Sequence, residues 1–373
     1  MGGDLVRVPG LVNAHTHAAM TLFRGYADDL PLMEWLEAHI WPAERRLQPE
    51  DVYWGTRLAC VEMIRTGTIR FWDMYWHPGA TARAVKDAGL RAVVGRVLMD
   101  EGDPAKSEEL RSVALESLDE AAAEGGDAVQ PVLSPHAIYT VSSRSLEWIA
   151  ETSAERQVPV QIHLSETQEE VQGCLEAHGV RPAEYLDRVG LLGPRTILAH
   201  CVWLDGAELE LIAERGATIA ANPVANLKLA VGGVLPYLRA RELGIPVGLG
   251  TDGAGSNNSL DLLADSKFFA LLQKNAAGDA AAVTAEEAFE IATGQRSELL
   301  TGWPGEDSYV LVRGDAPELS LGDLEAGLVY AASGSVVDST VVDGRELMRG
   351  GAVEDADEVV AKARERAQLL GLT

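Results

Sequence analysis

Hydrophobic positions along the 373-residue chain fall into two kinds of run that alternate. Short apolar, β-branched runs occupy residues 11–14, 68–72, 91–98, 128–133, 158–163, 196–199, 217–221 and 247–249 and read as strands. Amphipathic stretches between them, such as 80–88, 107–123, 143–156 and 205–215, read as helices. Eight short strands, most followed by a helix, are what a (β/α)8 barrel requires. A doubly wound open sheet competes, but no Gly-x-Gly-x-x-Gly follows the first strand. Past the eighth strand, helices are expected at 259–273 and 284–293, and then the pattern changes. Residues 308–312 and 335–342 are strand-like, Asp343-Gly344 reads as a hairpin turn, and 356–370 as a final helix. The expected organisation is an α/β chain: a barrel over residues 9–302, a small β layer from 1–8 and 303–350, and a C-terminal helix in 351–373.

Composition narrows the classes. A hydrophobic content of 47% supports a large core, and no apolar run reaches the ~18 residues of a membrane span. The first residues lack the basic-then-apolar order of a signal peptide. Cys60, Cys174 and Cys201 are odd in number, with no Cys-x-x-Cys, which points to reduced thiols in a cytoplasm. Asp and Glu total 57 against 31 Lys and Arg, a net charge of -26. Such a surface repels phosphate backbones and anionic lipid, so neither nucleic acid nor a membrane is expected as a partner. Only six of the basic residues are lysine. An acidic, lysine-poor surface suits a cell with molar internal salt, and a halophilic origin is expected; high genomic GC alone also raises Arg over Lys. Ala- and Glu-rich residues 101–126 read as a solvated helix.

The chemistry concentrates where strands end. In a barrel, reactive groups gather at the C-terminal ends of the strands. His15 and His17 end the first apolar run two residues apart, a spacing that puts both rings on one strand face. Alone, this pair reads as readily as a surface strand or turn. His163 ends the fifth strand, His200 the sixth, and Asp252 follows Gly250-Thr251 after the eighth. Singly, His163 reads better as a core histidine, His200 as packing before Cys201, and Asp252-Gly253 as a turn. The coincidence of position favours the site: five of eight histidines (15, 17, 136, 163 and 200) fall at expected strand ends. Three imidazoles and a carboxylate around one cavity make a zinc or iron site, with the fourth histidine just outside it. His39, His77 and His178 receive no role.

Longer motifs then carry a resemblance. Residues 9–25, 28–36, 41–44, Ser134-Pro135-His136-Ala137-Ile138-Tyr139-Thr140, Ile162-His163-Leu164-Ser165-Glu166-Thr167, Ala199-His200-Cys201, 222–229 and Leu249-Gly250-Thr251-Asp252-Gly253 with Ser256-Asn257-Asn258 are similar to the amidohydrolase superfamily. Within it they resemble the S-adenosylhomocysteine/5'-methylthioadenosine deaminases, over about residues 9–302. The resemblance implies a metal-dependent hydrolase TIM barrel with a β-sandwich-like layer, and a cytoplasmic enzyme of purine salvage. His15, His17, His163 and Asp252 would bind one divalent metal per subunit, zinc first, with iron or manganese as alternatives. Glu166 would shuttle the proton, His200 would assist at the attacking water, and Asp252 would also act as base. Glu44 would hold the ribose hydroxyls, with Arg96 and His136 lining the substrate pocket. Outside the family, Pro42-Ala43-Glu44 reads as a helix start with an acidic first turn, and Glu34 as structural.

The match departs in two places. Relatives carry several dozen residues before the His-x-His that complete a β-sandwich; here almost all are missing. The open sheet edge this implies favours a homo-oligomer. An arginine that some relatives use for the homocysteine carboxylate has no aligned counterpart, Arg111 being near but unaligned, so preference among adenosylhomocysteine, methylthioadenosine, 5'-deoxyadenosine and adenosine stays open. The alternatives are a guanine-type base deaminase or an s-triazine chlorohydrolase on the same centre, in which Glu44 would have no ribose to hold, and a metal-binding barrel without catalysis.

Overall fold

The computed structural model describes residues 4–302 and 307–373; residues 1–3 and 303–306, parts of the two segments expected to form the β layer, lie outside the described residues. The chain opens with β1 (Leu5–Val8) and turns directly into β2 (Leu11–Thr16), whose six residues are all buried. β2, β3 (Thr68–Tyr75), β4 (Arg91–Leu98) and β5 (Val129–Pro131) pair in parallel in that order. The expected 128–133 run breaks in two, because β6 (Ser134–Pro135) re-pairs with the end of β4. β7 (Val160–Leu164), β8 (Thr196–His200), β9 (Thr218–Ala221) and β10 (Val247–Leu249) form a second parallel arc.

The two arcs meet at two seams of different construction. At one, Leu133 bridges to Val160, and Gln161 N–H donates to the Leu133 carbonyl at 3.0 Å. At the other, β2 and β10 share no ladder among the described residues, and side chains close the gap. Asn13 accepts the Thr251 N–H at 3.1 Å and donates to the Thr251 hydroxyl at 2.7 Å, while the Asp252 N–H reaches the His15 carbonyl at 3.0 Å. Gly250 makes this approach possible: a Cβ there would stand 2.2 Å from Asn222 Oδ1 and 2.9 Å from the His15 Cβ. Eight parallel strands thus follow one another in barrel order, as the pattern predicts, with one seam held by polar side chains.

Helices cover the outside, among them Pro78–Ala88, Ser107–Gly125, Ser143–Arg156 and Gly206–Arg215, close to the stretches read from periodicity. One long helix, Pro49–Arg65, was not expected. Its start is fully specified: Pro49 sits in the first turn, and Gln48 and Asp51 bond reciprocally as a capping box. It packs on the short helix Ala18–Phe23 that leaves His17. The β layer is one antiparallel sheet, in the order β1, β11 (Tyr309–Arg313), β12 (Val337–Val342), β13 (Arg345–Met348). Asp343 and Gly344 form its two-residue turn with φ of 49° and 75°, the left-handed pair that tight hairpins use. The layer is tied to the barrel by Thr340 Oγ1, which donates to the Ile64 carbonyl at 2.7 Å. The last helix, Ala356–Leu370, clasps Pro49–Arg65 through Arg366 to Asp51 at 2.7 Å and Arg57 to Asp355. No described helix is long and apolar enough to cross a membrane.

Candidate metal centre and cleft

The C-terminal ends of β2, β7, β8 and β10 converge on one spot. β2 delivers His15 and, one residue past its end, His17; β7 carries His163 next to last and β8 ends on His200. Three residues beyond β10, Asp252 turns back toward them. The backbone here is unusual: Ser165, His200, Cys201 and Asp252 all have φ between 50° and 73°, a region disfavoured for side-chain-bearing residues. Such strain persists where surroundings over-determine it, and it clusters at functional sites.

Donor atoms of His15, His163, His200 and Asp252 all lie within 4.8 Å of one another, and all four residues are buried. His17 joins through Asp252, its Nε2 being 3.1 Å from Asp252 Oδ1, with His15 Nε2 at 3.4 Å from the same oxygen. The outer ring nitrogens are engaged. His17 Nδ1 lies 2.5 Å from the Met74 carbonyl, His163 Nδ1 2.8 Å from the His136 carbonyl, and His200 Nδ1 2.8 Å from Asn226 Oδ1. In a neutral ring, a carbonyl acceptor at Nδ1 puts the proton there and leaves Nε2 with its lone pair facing inward, the arrangement that orients ligating histidines. His15 and His163 consequently present Nε2 atoms to each other at 3.1 Å. Asp252 Oδ1 is buried without a well-formed donor of its own, while Oδ2 takes the Ser256 hydroxyl at 2.5 Å. Inward lone pairs and an unsatisfied carboxylate oxygen are a donor set suited to a divalent cation.

Charge distribution says the same. Burial drags His15 down to about 4 despite the attraction of Asp252. On His17 burial also works downward, but Asp252 outweighs it and carries the ring up to about 9. Burial pushes Asp252 up, yet His15 and His17 hold it well below the usual carboxylate range. His136 falls to about 3 through burial and the neighbouring imidazoles. Burial raises Glu166, with His200 pulling the other way. Asp252 is thus held as the carboxylate, and the positive charge is drawn onto His17 beside it.

The centre opens into a cleft whose free space, counted out into open solvent, is about 660 Å³. His17, His163, His200 and Asp252 line it, together with Glu44, His136 and Glu166. Glu166 Oε1 is 3.8 Å from His200 Nδ1. The turn that presents Glu166 is clamped by Glu170, which accepts the Ser165 and Glu166 N–H groups, each at 2.9 Å. Glu44 sits on the facing wall beside Tyr75 and Trp76; burial raises it, and those two side chains hold it down. Arg96 is not brought to the cleft. Alternation along β4 turns Val97 inward, and Arg96 lies behind the wall, its guanidinium 5.5 Å from the Trp76 ring centre and attracted by Glu120 and Glu116. Arg111 lies farther off, over Trp148. Periodicity did not reveal the aromatic walls, Trp35, Trp41, Tyr75 and Trp76, nor Asn226, Ser256 and Glu170; Trp35, Trp41, Asn226 and Ser256 lie inside the motifs above without an assigned role.

Eight parallel strands in barrel order thus carry, at their C-terminal ends, a histidine and aspartate cluster suited to a divalent cation. The chain belongs to the amidohydrolase family, which it matches over residues 6–300. A 5'-deoxyadenosine deaminase from Methanoregula boonei is 45% identical over 379 residues, covering 99% of this chain and 85% of that protein. A 5-methylthioadenosine/S-adenosylhomocysteine deaminase from Archaeoglobus fulgidus is 42% identical over 97% of this chain and 88% of its own length. Among solved structures, an adenosine deaminase from Xanthomonas campestris with bound zinc superposes with a TM-score of 0.92 at 34% identity, over 99% of this chain and 87% of that one.

Proposed function

We propose that this protein hydrolyses the 6-amino group of adenine nucleosides, such as 5'-deoxyadenosine, 5'-methylthioadenosine, S-adenosylhomocysteine or adenosine, to the inosine analogue and ammonia. One observation carries the reading: His17, His163, His200 and Asp252 line a single cleft together with Glu166 and Glu44. Relatives at 40–45% identity that bear deaminase names support it. His15, His17, His163 and Asp252 would hold one divalent metal, and zinc is the metal we propose, because the Xanthomonas campestris adenosine deaminase carries it. When bound, such an ion makes hydroxide available at neutral pH.

The remaining work falls to side chains. Burial favours the protonated form of Glu166, which gives its proton to the ring nitrogen beside the amine-bearing carbon and later helps ammonia leave. Asp252 accepts a proton from the attacking water and gives it to the departing amino group. His200, fixed by Asn226, turns Nε2 to the reacting oxygen. Glu44 faces the ribose hydroxyls, and His136 lines the pocket beside the base.

Ammonia release from the four nucleosides, guanine and s-triazines tests the reading. Turnover of nucleosides is expected; turnover confined to guanine or triazines overturns it. Glu166→Gln should keep its metal, read by elemental analysis, and lose about 10²-fold or more in kcat. Normal turnover in that variant would remove Glu166 from the mechanism.

A further inference from the structure

Much of three quoted motifs, residues 28–36, 222–229 and 256–258, plays no part in the chemistry above. The structure brings one polar side chain from each to the same point. Lys228, one of six lysines in the chain, ends the short helix Pro223–Lys228. Its ammonium donates to Asp28 Oδ1 at 2.8 Å, the Gly255 carbonyl at 2.9 Å and Asn258 Oδ1 at 2.9 Å, which uses all three of its hydrogens. Asn258 Nδ2 donates to the other oxygen of Asp28 at 2.7 Å and closes a ring. Arg24 holds the Asn258 carbonyl from outside at 2.9 Å.

The ring is largely shielded, with side-chain exposures of 22% for Lys228 and 27% for Asp28. Burial works upward on Asp28, yet Lys228 and Asn258 hold it below the ordinary carboxylate range. The backbone that presents Asp28 is strained on both sides: Ala27 has φ 53° and Asp29 φ 65°. A loop so disfavoured stays in place only where something fastens it.

What the ring fastens is the cover of the cleft. Residues 26–47 cross the mouth as three short turns, Leu32–Trp35, Leu36–Ile40 and Trp41–Glu44, and supply Leu32, Trp35, Leu36, Ile40, Trp41 and Glu44 to its wall. Gly255, whose carbonyl Lys228 holds, packs under that wall; a Cβ there would stand 3.1 Å from the Trp35 ring. The helix that ends in Lys228 also carries Asn226, the partner of His200. None of Asp28, Lys228 and Asn258 lines the cleft.

We propose that Asp28, Lys228 and Asn258 form a latch that closes residues 26–47 over the cleft and thereby positions Glu44 and Trp35 against the substrate. They are positioning residues, and their effect falls on capture of the nucleoside. The substrate named here rests on the function proposed above; the latch itself does not.

Two variants, Lys228→Met and Asp28→Asn, test it in the full metal-loaded chain. Hydrogen exchange of residues 26–47 without substrate should quicken about tenfold or more in each, with the barrel strands unchanged. For the best nucleoside KM should rise about tenfold while kcat stays within about threefold, and metal content should not change. The double variant should be no worse than the worse single one, because either change alone opens the ring. Unchanged exchange in 26–47, a loss confined to kcat, or additive effects would overturn the latch. If no nucleoside is deaminated at all, the exchange measurement still decides on the latch while the proposed function falls.

Discussion

At Asp73 a carboxylate stands beside the metal centre with half of its accepting capacity unused. Oδ1 takes the Ala18 N–H at 2.6 Å, fixing the chain one residue past His17, while Oδ2 is buried with no partner. Burial pushes its pKa up to about 7, against the Ala18 bond and His17. In the unfolded chain an aspartate ionises near 4, so between about pH 4 and 7 the unfolded state has already released a proton that the folded state keeps. The native state then binds more protons, and stability falls as pH rises through that window. Asp73→Asn retains an acceptor for Ala18 and removes the titration. In metal-free protein, thermal melts should show the variant gaining on the parent as pH climbs from 4 to 8, by roughly 1–4 kcal/mol. A difference that stays flat with pH would show Asp73 to be ordinary. The same residue illustrates what a pattern leaves unread. Asp73 falls one residue past the apolar run 68–72, although the strand itself continues to Tyr75, and nothing in the sequence says which N–H it meets.

Elements were legible where periodicity alone decides them, and less so where contact across the fold does. β4, β10, the helix Ser143–Arg156 and the last helix have the bounds their runs predict, and the histidines at strand ends converge because strand direction alone sends them there. Arg96 shows the limit. One position along β4 decides whether a side chain meets the cleft or the outer layer, and the apolar run 91–98 does not mark its inward face. The helix Pro49–Arg65 shows another, since its capping signal is local while its purpose is a contact with Ala18–Phe23. That contact is close at Gly55. Thr21 donates to the Gly55 carbonyl at 2.6 Å, and a Cβ on Gly55 would stand 2.7 Å from the Ala19 carbonyl oxygen. In an exposed helix Gly→Ala stabilises by about 1 kcal/mol. Here the added methyl meets backbone, which cannot swing aside, so Gly55→Ala should instead destabilise by about 1–3 kcal/mol in denaturant melts. Because Ala18–Phe23 continues from His17, the variant should also bind its metal more weakly in a chelator competition. A gain in stability would mean that the helix does not press on that segment.

For the molecule as a whole, 57 acidic residues against 31 Lys and Arg leave most of the excess carboxylates without a cation to face. Several that have one use arginine, as in Arg215 with Asp187 at 2.6 Å and Arg296 with Glu290 at 2.7 Å, both partly exposed. Added salt acts on these two populations in opposite directions. It weakens exposed pairs, each worth only about 0–1 kcal/mol, and it relieves repulsion among the unpaired carboxylates. With a net charge of -26 the second effect is the larger. The Debye length contracts from about 10 Å at 0.1 M to about 3 Å at 1 M, so relief should be nearly complete by ~1 M. Tm in KCl is therefore expected to climb steeply at first and then level off. Sulfate, which stabilises most proteins through exclusion from their surface, should keep raising Tm beyond that point. The plateau in KCl separates charge relief from exclusion, and a Tm that is flat or falling from the lowest salt would refute self-repulsion as a limit on this fold. The barrel strands and the centre lie inside, where screening reaches least, so the gain should appear in stability while the metal affinity of the native state changes little. A parallel titration of metal binding across the same salt series checks that separation. If affinity rose in step with Tm, the acidic surface would be acting on the centre itself, and surface and site would have to be treated as one electrostatic unit.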